Sequence, residues 1–334
     1  MAAYPATGLA DQVYSLVACA AQQPEIQAAV EANHDDNRWW PLSVSDWRVR
    51  MTVAGWNTRV SYAMISTYAD VVARADTLGW SGLTRLDDVD LGVMVRPLGL
   101  TAARIGYLRS LEAFVSGADA AGIDLAGMRP GDLVGLFAAG VRGAGYKVAQ
   151  CAALYARGYH CGIIPVDSGM VTKLAPYLGV NLSAGPAAHE EFRRLLEGST
   201  VAMADRYREL ATRLCYQVRI PDDANPTWFT HLVLIYFKRL YLNRPGPRVC
   251  PRRPACPAFL DCGCVTQLAG PRWKYSASSA TSPATGPSTR AGATSRCLAV
   301  PPCMWPSRLP GRACGRRQSR SSAATLAGSA MTSG

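Results

Sequence analysis

Apolar residues recur at helical spacing over most of residues 8–264, whereas strict alternation of apolar and polar positions is scarce. In "RVSYAMISTYADVVARA", Val60, Met64, Tyr68, Val71 and Val72 share one face. "TAARIGYLRSLEAFV" aligns Ile105, Leu108, Leu111 and Val115 after a break at Pro97-Leu98-Gly99. "KVAQCAALYARG" aligns Val148, Cys151, Ala152 and Tyr155, and Gly158 stands where a helix commonly ends. "HEEFRRLLEGSTVAMADRYRELATRL" and "PTWFTHLVLIYFKRLYL" also read as helices. The pattern predicts an all-α fold, with connections short enough for a compact bundle.

One stretch breaks this rhythm. "GDLVGLFAAGVRGAGYKVAQCAALYA" reads as a helix, a glycine hairpin and a second helix, with Gly143-Ala144-Gly145 at the turn and Lys147 just beyond it. Backbone amides left uncovered there, with the positive end of the following helix, suit a phosphate. Twenty residues after Lys147, "IIPVDSGMV" places Asp167 where a helix begins, a position that aspartate caps well. Each feature alone also has a plain reading, as a helix–helix turn, a solvated lysine and a helix cap.

The net charge of +11 changes meaning once it is located. Residues 265–334 hold nine basic residues and no acidic one, which leaves 26 basic against 24 acidic residues before them. Affinity of residues 1–264 for nucleic acid therefore rests on local arrangement and not on overall field. "SASSATSPATGPSTRAGATS" lacks the apolar content to offset its ordering entropy, so residues 265–334 are expected to be disordered. They read either as a basic tail adding phosphate contacts or as the out-of-frame translation of a GC-rich gene. No run of about twenty uncharged apolar residues predicts a membrane span. The N-terminus lacks an export pattern, which predicts a cytoplasmic protein with reduced thiols and no membrane partner.

The run "RGAGYKVAQCAALYARGYHCGIIPVDSGMVTKLAPYLGV" resembles the helix-hairpin-helix DNA glycosylases, the endonuclease III-like group in particular. That family reads Leu-Pro-Gly-Val-Gly-Arg-Lys-Thr-Ala through its hairpin. Gly143, Gly145 and Lys147 hold matching positions, and Arg142 replaces the proline. The family's Val-Asp-Thr-His corresponds to Val166-Asp167-Ser168-Gly169. Upstream "VRPLGLTAARIGYLRSLEAFV" and downstream "HLVLIYFKRLYLNRPGPRVCPRRPAC" follow in the family's order, so the likeness spans residues 45–264. It implies a two-lobed helical glycosylase fold with a C-terminal cysteine loop. One lobe would be residues 45–160, the other the N-terminal helices with residues 161–264.

The resemblance implies base excision from double-stranded DNA with a damaged base or abasic site, by a monomer. Asp167 would stabilise the sugar as it becomes cationic. Lys147 would attack the same carbon, form a Schiff base and open a lyase step. Gly143, Ala144, Gly145, Arg142, Arg252 and Arg253 would hold phosphate, and Trp56, Asn57 and Ser168 would line the base pocket, although an aromatic such as Trp56 more often fills core. Two alternatives stay open: a non-catalytic DNA-binding relative, and a glycosylase in which water attacks instead. The departures are Ser168-Gly169 for Thr-His, Trp56-Asn57-Thr58 where the family commonly carries a glutamine, and Pro176 inside a helix that the family keeps continuous.

Cys250, Cys256, Cys262 and Cys264 fall within fifteen residues, which points to a [4Fe–4S] cluster or zinc. The family separates its four cysteines by six, two and five residues. Here the separations are five, five and one, with Phe259 where the third ligand should be, so either a rearranged loop or a broken site is consistent. His34, His160, His189 and His231 read as structural or solvated. Cys19, Cys151 and Cys215 read as core.

Overall fold

The computed structural model describes residues 6–37, 39 and 43–243. Arg252, Arg253, the four loop cysteines and residues 265–334 lie outside these. The described residues form twelve α-helices and no strand. In chain order these are α1 (Ala6–Ala20), α2 (Pro24–His34), α3 (Trp47–Trp56), α4 (Ile65–Arg85), α5 (Asp88–Val95) and α6 (Thr101–Ala120). There follow α7 (Pro130–Gly140), α8 (Tyr146–Arg157), the single turn α9 (Ala175–Tyr177), α10 (Ala187–Val201), α11 (Ala204–Arg213) and α12 (Thr227–Phe237). No described helix is long and apolar enough to cross a membrane.

Two helices organise the core. In α8 every residue from Val148 to Ala156 is buried, with α3 and α7 packed against it. In α12 all eleven residues are buried, beneath α2 and α1. The sequence predicts one apolar face for α8; burial on every side is what its run of alanines permits, since small side chains let neighbours approach closely. Tyr68, Leu108, Leu111 and Val115 are buried as their spacing predicts. Each such large side chain contributes roughly 1.5–3 kcal/mol by leaving water.

Local chemistry sets the helix ends. The Asp46 carboxylate accepts the Arg48 amide at 2.9 Å and starts α3, and Asp87 does the same for α5 with the amides of Val89 and Asp90. Gly158 ends α8 with φ 97°, in the left-handed region that glycine enters without a clash. Residues 189–214 are helical as read and form two helices, α10 and α11, with the break at Ala202 and Met203.

Pro176 has a visible consequence. The helix entered at Ser168 widens into a π-turn at Met170–Leu174 just before the proline. Proline lacks an amide and its ring crowds the carbonyl four residues back, and the wider turn relieves both. A second π-turn, Lys238–Leu242, continues α12 and packs on the first. Lys173 Nζ joins them with a 2.9 Å bond to Asn243 Oδ1.

Candidate active site

Arg142, Gly143, Ala144 and Gly145 form the connection between α7 and α8. Gly143 has φ 86°, which allows the reversal. Ala144 is buried and its amide bonds to the Val141 carbonyl at 3.1 Å. Gly145 is the N-cap of α8, and having no side chain it leaves the first-turn amides uncapped. Arg142 is exposed, with its amide bonded to Ser110 Oγ at 2.8 Å. Lys147 lies in the first turn of α8 and is half-buried.

Asp167 ends an irregular segment and precedes the π-turn. Gln150 of α8, fully buried, accepts the Val166 amide at 2.8 Å and so pins the backbone beside Asp167. Gln150 is held in turn by its amide nitrogen, which donates to the His189 carbonyl and to Glu190 at 3.3 Å. Asp167 Oδ1 accepts the Met170 amide at 2.8 Å, and Oδ2 accepts from Lys238 Nζ. Burial opposes ionisation of Asp167 most strongly, but the Lys238 bond and charge, the Met170 amide and the Lys147 charge together hold it below the usual carboxylate range.

Lys147 and Asp167 line one cavity of about 230 Å³. Asn57, His231 and Trp228 line it too, with Arg59 and Arg239 as further cations. Asp167 is the sole carboxylate among the described lining residues, against three cations. The loop carrying Asn57 and Arg59 is fixed by Arg104, which is buried and donates to the carbonyls of Trp56, Thr58, Leu98 and Gly99. Asn57 Nδ2 donates to Tyr155 OH at 2.8 Å, tying that loop to α8. Arg59 takes φ 60°, a left-handed conformation that costs a non-glycine residue of order 1 kcal/mol or more.

Trp228 and His231 of an aromatic stack line one wall, with Tyr159 behind them. Tyr159 lies flat on Trp228 with ring centroids 4.5 Å apart, and Trp228 stacks on His231 at 5.3 Å. Trp228 Nε1 donates to the His34 carbonyl at 2.9 Å, which fixes the stack. Burial first, then the nearby cations of Arg239, Lys238 and Lys147, push the His231 imidazole down to about 3, so it is neutral near pH 7. The buried His231 Nδ1 and Asn57 Oδ1 have no hydrogen-bond partner. Both belong to residues of the cavity wall, and unpaired polar atoms of that kind are costly unless a ligand or water meets them.

Other expected site residues sit elsewhere. Trp56 is fully buried, donates to the Arg104 carbonyl at 3.2 Å and is absent from the cavity wall; it packs in the core. Ser168 is exposed and also absent from that wall; its carbonyl accepts from Thr172 Oγ1. His231, expected to be merely structural or solvated, forms part of the wall, and Cys215, expected in the core, is exposed. Among the described residues no group of three His, Cys, Asp or Glu could hold a metal.

Lys238, Gln150 and Arg59, which the sequence pattern does not single out, carry much of the site together with His231. For Lys238 a signal exists. A lysine inside the continuous apolar run "HLVLIYFKRLYL" must be buried, and a buried ammonium needs a partner. A comparison with known proteins finds no family model that matches the chain and no curated protein that matches it.

Proposed function

We propose that the cavity is the active site of a DNA glycosylase that receives a damaged or mismatched base extruded from double-stranded DNA. The observation that carries this reading is that Lys147 and Asp167, from different elements, line one cavity whose other charged walls are cationic. A phosphodiester backbone meets that charge balance. The uncapped amides at the start of α8 suit the phosphate beside the extruded nucleotide. The two lobes, residues 45–160 and the N-terminal helices with 161–264, would close on the duplex from either side of the cavity.

In this mechanism the glycosidic bond breaks with its electron pair leaving on the base. The sugar becomes cationic, and the ionised Asp167 stabilises that charge in a site of low polarity. Lys147, having released a proton to solvent, adds its amine to the same carbon; the ring C1′–O4′ bond then opens as O4′ takes up a proton, which leaves a Schiff base, and loss of the C2′ proton to solvent expels the 3′ phosphate and cleaves the strand. The neutral His231 and the Asn57 carboxamide offer hydrogen bonds to the base. One observation favours water as the attacking group instead: Asp167 is engaged by Lys238, so it is a poor acceptor for the proton of Lys147.

Borohydride added during reaction with abasic-site DNA tests the reading. The expected result is a covalent adduct on Lys147, lost in Lys147→Gln while DNA binding persists. An adduct that persists in Lys147→Gln moves the nucleophile elsewhere. Base release without any adduct selects water.

A further inference from the structure

Lys238 opens the second π-turn, and its side chain is 4 % exposed. Its ion-pair partner among the described residues is Asp167. A buried ammonium is costly unless it is paired and held by geometry, and here Gly169 supplies the geometry. The backbone of Gly169 is ordinary right-handed helix, φ −71°, so conformation does not require glycine there. Space does. A Cβ at Gly169 would meet Lys238 Nζ at 3.1 Å, Lys238 Cδ at 3.2 Å and Asp167 Oδ1 at 3.4 Å.

We propose that Lys238 is a positioning residue of this site: through the space left by Gly169 it bonds Asp167 Oδ2 and fixes the carboxylate's orientation and charge. The inference rests on the glycosylase reading for its consequence, but the pairing itself does not. Lys238 is absent from the cavity wall that Asp167 forms, so it acts through Asp167 and not on the substrate. With Oδ1 on the Met170 amide and Oδ2 on Lys238, both oxygens are anchored from behind, and their remaining lone pairs stay available to the cavity. The Lys173–Asn243 bond between the two π-turns keeps donor and acceptor in register. The departure at Ser168-Gly169 thereby acquires a reason: a side chain at 169 would press on the lysine, which would have to give by a few tenths of an ångström.

The groups facing this pair come from three elements. Lys147 and Cys151 approach from α8, the neutral His231 from α12, and Arg239 stands beside Lys238 in the π-turn. Lys238 is the side-chain cation in hydrogen-bond contact with Asp167, while Lys147 acts on it only through charge. Burial acts against the charged form of both partners, and their mutual bond opposes that effect.

The test reads the carboxyl ionisation directly. Protein labelled with carbon-13 at aspartate side-chain carboxyls is titrated without DNA, with the Asp167 signal assigned through Asp167→Asn. Wild type is expected to be fully ionised at about pH 5, with the midpoint about one to two pH units higher in Lys238→Met. Gly169→Ala, which crowds the lysine without removing it, moves the midpoint in the same direction by less. If Lys238→Met does not fold, Gly169→Ala alone decides. Unchanged ionisation in every folded variant overturns the proposal. The acid limb of single-turnover base release should rise in step with the carboxyl midpoint, and a limb that stays put overturns the positioning role. A shifted midpoint with no base release from any lesion duplex supports the pairing and overturns the glycosylase reading.

Discussion

Replacing Gln150 by leucine isolates the contact that holds the Asp167 segment to α8. The side chain is fully buried, and leucine nearly matches its volume, so the change removes hydrogen bonds more than packing. Val166 loses its acceptor, and a stranded buried amide costs about 1–3 kcal/mol. Glu190 loses a 3.3 Å donor but keeps Arg193 and Arg194, so that loss adds under about 1 kcal/mol. The expected destabilisation is about 1–4 kcal/mol, which lowers the thermal midpoint by roughly 2–16 °C for a domain of this size. Circular dichroism melts measure it, and single-turnover base release should slow because Asp167 is the next residue. A midpoint within about 2 °C of wild type would refute the reasoning, since the amide of Val166 would then need no partner.

Two further outcomes concern stability. His231 is neutral in the fold, pushed from 6.5 to about 3, whereas the unfolded chain protonates it at its ordinary value. Stability is therefore full above about pH 6.5 and falls as the pH drops toward 3, by at most about 5 kcal/mol. His34 and His160, also lowered chiefly by burial, shift it in the same direction. Asp167 adds stability present above 3.8 that is lost as the pH falls through its depressed value. His231→Phe should move the midpoint of acid unfolding to lower pH, and an unmoved midpoint contradicts the burial argument. Gly55→Ala should cost about 1–3 kcal/mol in urea unfolding, because a Cβ there collides with the Tyr107 ring, whose hydroxyl is fixed to the Met51 carbonyl at 2.7 Å. A neutral effect would show that Tyr107 can move.

The helical faces were legible because a period of three to four residues is a local property: Leu108, Leu111 and Val115 turn inward as their spacing requires. The glycine hairpin was legible for the same reason, since Gly143 needs a positive φ that few residues accept. What the periodicity does not record is which segment covers a face. That is why α8 looked one-sided although it is buried all round, and why Trp56 could be read either as lining the base pocket or as filling the core, which is where it lies. Asp167 and Lys147 were paired in the reading, yet the lysine bonded to Asp167 is Lys238, seventy-one residues along the chain. Only the packing of two π-turns brings that side chain into contact.

The central claim is that Asp167 stabilises charge that exists only as the glycosidic bond breaks. Single-turnover base release by Asp167→Asn, on the duplex that wild type processes fastest in a panel of single lesions, tests it most directly. The account predicts a rate at least about a hundredfold lower, a loss of roughly 3 kcal/mol in transition-state stabilisation, with DNA affinity within about threefold of wild type. Release by the variant at the wild-type rate, or no release by wild type from any duplex in the panel, would contradict it.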